Sequence, residues 1–312
     1  MAGATTGVDV FGPDVTGGSG LSGQFISAQF GDGSDGDFTV VGTFTAAREF
    51  HYNNLTIPAG TTFKPAGFRV FVAGTLTIEA GASFNDDGNS STSQAGALGL
   101  GSRGYLSAAS GQGGNGAALT SVIQSNGTTG SGASSCSLNN LGQAPTGGKG
   151  GDSTTRVGGA GGSAAIVSPS QKWNGRWIDG RGSNAAFNGG SGGGGGAGTV
   201  TAYTSGTFIS GGAGSGGGIV WVAAKNIINN GRISANGGNG SNGSLGVGTG
   251  DCAGGGGGGG GNVTVITQTA FAALGTVQAL GGLGGTGVAN NGFTNNNGVN
   301  GNSGSLCIMV LS

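Results

Sequence analysis

From Gly254 to Gly261 the chain has no side chain at all. Such a run cannot fold by burying apolar surface, so only its amides and carbonyls can hold it in place. Fixing the backbone of one residue costs roughly 1–2 kcal/mol, and glycine loses the most freedom. Ordering this run therefore costs roughly 8–16 kcal/mol, with no side-chain burial to offset it. The demand recurs along the chain, because 80 of the 312 residues are glycine. Disorder would go with high net charge, yet the net charge is −1 and only 7 % of residues are charged. Two ordered forms remain. Glycine segments can pack side by side as extended left-handed helices of polyproline II geometry, since nothing projects to keep them apart, or they can form irregular loops.

Between the glycine tracts lie short runs of β-branched and aromatic residues. Thr39–Phe44, Leu55–Ile57, Phe68–Val72 and Leu76–Ile78 each end within a few residues of Gly, Pro or Asn. These are strand signals with turn punctuation. They follow one another too closely for helical crossovers, which leaves an antiparallel meander or the rungs of a parallel β-solenoid. An internal repeat favours the rungs. A shift of 44 residues carries Ile219, Trp221, Ile233 and Ala235 onto Val263, Val265, Val277 and Ala279. Gly231, Gly237, Gly238, Gly240 and Gly243 fall on Gly275, Gly281, Gly282, Gly284 and Gly287. A further shift of 43 or 44 reaches Leu306–Val310, and Val70–Ala73 resembles Val220–Ala223. Equal periods of this kind indicate stacked units that bury one another's apolar faces. The expected fold is all-β, with β-solenoid-like short strands, glycine-rich layers and very little α-helix. Four regions are expected: an N-terminal arm over 1–30, a short-strand module over 31–90, a glycine-rich body over 91–216, and a repeat region over 217–312.

The chemistry of catalysis is thin. His51 is the single histidine, so any Ser–His or Cys–His arrangement would have to use it. Its place beside a strand reads as a packed sheet histidine. Gly189–Gly193 matches GxSxG and Gly99–Gly104 matches GxGxxG, but neither has the strand–turn–helix context those motifs need. Cys136, Cys252 and Cys307 are too widely spaced for a metal site or a disulfide framework. Few clustered Lys or Arg argue against nucleic acid. No stretch of 18 apolar residues crosses a membrane, and no basic-then-apolar leader is expected at the N-terminus.

Two constellations stand out against this background. Asp32, Asp35 and Asp37 lie among turn-forming glycines, the kind of oxygen-rich loop that calcium accepts, although Asp-Gly turns occur in any β protein. Trp173, Trp177 and Phe187 bracket one polar loop, and Tyr203 and Phe208 sit in a second. Exposed rings among Asn and Ser would make a contact site for a sugar or a protein; the other reading is that they plug the ends of glycine layers. Asp86–Asp87 reads as a turn, and Trp221 as layer packing.

The order Phe30–Val40, Tyr52–Thr56, Gly67–Val72 and Gly74–Ile78 resembles a module found in glycine-rich phage tail and surface proteins. The body beyond it is similar in style to phage tail-fibre adhesins whose tips are stacked polyglycine helices. That resemblance implies a non-enzymatic virion structural protein, assembled in the host cytoplasm within a larger oligomeric assembly. It would contact other virion proteins and a host glycan or protein receptor. A capsid decoration or head-fibre protein is the alternative within that class. An ice- or carbohydrate-binding surface protein is the alternative outside it.

Overall fold

The computed structural model describes residues 29–100, 110–121, 124–127, 146–153, 156–162, 190–270, 275–290 and 296–311. All regular structure among them is β-strand. Two parallel sheets face each other. The first carries, in spatial order, Phe38–Thr39, Leu55–Ile57, Arg69–Ile78, Ile219–Asn229, Asn262–Thr267 and Ser305–Val310, and Phe50–Tyr52 also pairs with Arg69–Ile78. The second carries Thr43–Thr45, Thr62–Lys64, Ser83–Asn85, Arg232–Ser234 and Thr276–Gln278. A strand of the first sheet leads by a tight corner into a strand of the second, and the chain then returns one strand spacing further along. Corners this tight need a left-handed backbone in places: Gly60 has φ 76° and Gly81 φ 81°, and the Gly60 amide donates to the Gly81 carbonyl. Glycine adopts that conformation without steric cost.

The core lies between the two sheets. Alternate residues of the first sheet point inward (Val70, Val72, Val220, Val222, Val263 and Val265) and meet Phe63, Phe84 and Ile233 of the second. The Phe63 and Phe84 rings stack at 5.0 Å on neighbouring strands. On the outer face of the first sheet a second cluster joins Trp221 to Phe30, Phe71, Ile219 and Ile266. Trp221 is therefore packing, as its sequence position suggests.

The register corrects the repeat by one residue in places. Val220 pairs with Val263 and Trp221 with Thr264, not Trp221 with Val265. Likewise Phe71 lies beside Ala223 rather than Trp221. The 44-residue offset holds in the second sheet, where Ile233 pairs with Val277. A one-residue slip exchanges the inward and outward faces: valines must share the core, so they set the register of the long strands. Phe68–Val72 and Leu76–Ile78 also merge into one strand, whereas Thr39–Phe44 divides at Gly42.

The glycine-rich segments form a lattice of their own. In residues 253–261, the amides of Gly254, Gly257 and Gly260 donate to Asn296, Val299 and Asn302. Those of Gly255, Gly258 and Gly261 donate to Ser241, Gly238 and Ala235, and those of Ala253, Gly256 and Gly259 to Ala197, Gly194 and Ser191. Each successive residue thus addresses a different neighbour, with the three-residue period of a polyproline II helix. The carbonyls do the same in the other three directions, accepting from residues 148 and 151, from 211, 214 and 217, and from 282 and 285. A run with no side chains satisfies its backbone in every direction around its axis. Where a small side chain occurs inside, it joins the bonding: Ser210 Oγ donates to the Ala197 carbonyl, and Ser215 Oγ accepts from the Asn89 amide.

At the end of this lattice away from the parallel sheets, the chain closes in antiparallel strands. Gly198–Ser205 pairs with Val247–Cys252, which pairs with Val288–Ala289, and Phe208–Ile209 pairs with Ala118–Leu119. These strands form the far tip.

Candidate functional site

Three places hold the side chains with chemical potential: the acidic loop, the junction between sheets and lattice, and the tip.

In the acidic loop, left-handed Gly31, Gly33 and Gly36 turn the three carboxylates apart. Asp35 accepts from the Arg48 guanidinium at 2.5 and 3.1 Å and from the His51 amide at 2.7 Å. Asp37 Oδ1 accepts from Asn53 Nδ2 and from the Asn54 amide and Nδ2. Asp32 caps its own turn through the Ser34 amide. The three carboxylates, read in sequence as an oxygen-rich loop of the kind calcium accepts, thus serve separate protein donors, and no cluster of three metal-ligating side chains occurs among the described residues. His51 stacks on Phe71 at 4.6 Å, and its Nδ1 lies 3.8 Å from Asp32 Oδ1.

The loop instead clamps neighbouring passes of chain, and this has a pH signature. The Arg48 hydrogen bond, with help from the His51 amide, holds the Asp35 carboxyl below its ordinary value of 3.8. A lowered folded-state value stabilises the fold above 3.8 and stops doing so as pH falls through the depressed value. Asp35→Asn should therefore be less stable than the parent at neutral pH. The gap between their denaturation midpoints should narrow below 3.8 and close as pH falls through the depressed value.

At the junction, Asp86 is buried. Its amide donates to the Ser234 carbonyl, its carbonyl accepts from Gly218, and its Oδ2 accepts from the Ile219 amide. Asp87 accepts from the Asn236 amide and pairs with Arg232 at 3.0 Å. The pair is not a simple turn. It joins the end of the strand Ser83–Asn85, in the middle of the second sheet, to the first glycine segments, a role invisible in sequence because its partners lie far along the chain.

At the tip, Phe208 is fully buried with Ala117, Leu119, Val200 and Cys252. It is core rather than contact surface. Leu119 and Cys252 come from distant segments, and together they exclude water from the ring. The Cys252 thiol is pushed up to about 12, chiefly by burial. Tyr203 is half-buried against this cluster, and its hydroxyl donates to the Gly206 carbonyl at 2.8 Å. Around it Thr201, Ala202, Thr204 and Ser205 are exposed on the projecting half of their strand, beside exposed Val247. Asn290 braces the neighbouring strand, its Oδ1 accepting from the Gly250 amide and its Nδ2 donating to the Gly248 carbonyl. The result is a braced, uncharged surface of hydroxyls around one phenol. Trp173, Trp177 and Phe187 lie outside the described residues.

Compared with known proteins, the chain matches no family model, no curated protein and no solved structure.

Proposed function

We propose that this chain is a non-enzymatic structural component of a bacteriophage particle, a tail-fibre or adhesin part acting in host attachment. In this reading the parallel strands are the rungs of a β-solenoid, which anchors the glycine lattice, and the lattice holds out the antiparallel tip. The observation that carries it is the enclosure of residues 253–261, where bare backbone is bonded on every side. A body built this way owes little to charge pairs, so changes of salt outside a cell leave it intact. Its partners would be other virion proteins at the strand end and a host glycan or protein receptor at the tip. The sparse basic residues argue against nucleic acid.

The tip suits contact because it is fixed from behind and presents hydroxyls and a phenol whose ring and OH serve apolar and polar contacts together. Replacing Tyr203 with Ala and Thr204 with Lys in the phage should lower the adsorption rate at least tenfold while particle yield stays unchanged. An antibody to the tip should block adsorption and decorate the tail in electron micrographs. Unimpaired adsorption, with label on the capsid, would replace attachment with head decoration.

A further inference from the structure

A lattice of bare backbone has no built-in edge. Each extended segment has donors and acceptors pointing in all directions, so an outer segment presents a row of amides to the next chain that arrives. This is the same hazard as the open edge of a β-sheet. How the outer segments differ from the enclosed one shows what stops growth.

Residues 279–287 form such an outer segment. Only one of its three amide rows reaches backbone in the lattice interior: Gly282 and Gly285 donate to Gly258 and Gly255. The second row, Leu280, Leu283 and Thr286, donates to the side-chain oxygens of Asn236, Asn239 and Asn242 at 2.8–2.9 Å. In the third row Gly284 and Gly287 donate to Asn300 and Asn297 Oδ1, each at 2.9 Å. The adjoining segment 236–243 follows the same rule. Its outward amides at Asn236 and Asn239 are met by Asp87 Oδ1 and Ser90 Oγ. Elsewhere on the lattice the Gly96 amide donates to Asn115 Oδ1. The enclosed run 253–261 has no such residue and needs none.

We propose that Asn236, Asn239, Asn242, Asn297 and Asn300 terminate the lattice. Each supplies, from a neighbouring segment, the carbonyl oxygen that a further glycine segment would have supplied, and its carboxamide occupies the space that segment would enter. The surface they guard is one that fits a glycine-rich extended segment of a second copy of this chain. The three-residue spacing of Asn236, Asn239 and Asn242 follows from that task, because it matches the period at which one row of amides recurs.

The test is the full chain carrying N236A, N239A and N242A, compared with the parent and with N236D, N239D and N242D. Aspartate keeps the accepting oxygen; alanine removes it. In the alanine variant the amides of Leu280, Leu283 and Thr286 should exchange hydrogen at least tenfold faster, and light scattering should show concentration-dependent self-association. The aspartate variant should keep both the protection and the parent's oligomeric state. Unchanged exchange in the alanine variant would overturn the proposal, and so would faster exchange without association, or equal loss in the aspartate variant. Should the triple alanine variant fail to fold, N242A alone, read at Thr286 and by scattering across concentration, decides by the same criteria.

Discussion

Gly258→Ala is expected to abolish cooperative folding of the glycine lattice, a loss of more than about 4 kcal/mol. Its amide donates to the Gly238 carbonyl and its own carbonyl accepts from the Gly282 amide, so it cannot move aside without breaking both bonds. A methyl group added there would overlap the carbonyl oxygen of Ser215. Overpacking a side-chain core costs about 1–3 kcal/mol because side chains can rearrange. Here the obstructing wall is backbone, itself bonded on its other sides, and has no other rotamer to adopt. Gly42 is the control. It has φ 60° and nothing within 4 Å of an added methyl, so Gly42→Ala should cost only the local conformational penalty, about 1–2 kcal/mol. Denaturant titrations of the two variants give the comparison. Equal and small losses at both positions would mean that residues 253–261 are not enclosed.

Trp221→Ala should produce the second large effect. The indole is fully buried on the outer face of the first sheet, edge-on to Phe71 at 5.0 Å and packed with Ile219, Ile266 and Phe30. Truncating a buried aromatic to alanine costs about 3–5 kcal/mol, through lost transfer energy and the cavity left behind. The indole Nε1 has no hydrogen-bond partner among the described residues. Trp221→Phe therefore forfeits no hydrogen bond and should retain most of the stability. A phenylalanine variant as unstable as the alanine one would contradict this packing, and thermal unfolding of the pair measures it.

The strands were legible because alternation of apolar and polar residues is a local signal. Leu55–Ile57 stands as read, and the repeat leading from Ile233 to Val277 places two strands side by side in the second sheet. The one-residue error at Trp221 arose from matching glycines. The second sheet and the glycine stretch that follows it keep an offset of 44, as at Ile233 and Val277 and at Asn236 and Leu280, while the long strands pair at 43, as at Val220 and Val263. The difference is absorbed between the sheets, where no pattern marks it.

The lattice was half legible. Asn236, Asn239 and Asn242 recur with the period of an extended threefold helix, but which segments adjoin which is decided by backbone bonds that glycine spells identically everywhere. The contacts of the acidic loop were hidden for a related reason. Proximity in sequence says nothing about direction, and Arg48, Asn53 and Asn54 draw the carboxylates apart. Phe208 looked exposed among Thr, Ser and Gly, and only the arrival of Leu119 and Cys252 from elsewhere buries it.

The glycine lattice holds together through backbone enclosing backbone, and amide hydrogen exchange over Ala253–Gly261 in the intact protein measures that directly. Enclosure requires these amides to exchange as slowly as those of the central strand Ile219–Asn229, and to become exposed together with it on unfolding. Exchange at the rate of an unstructured glycine peptide, while the strand stays protected, would contradict the lattice and remove the support for a rigid arm that carries the tip.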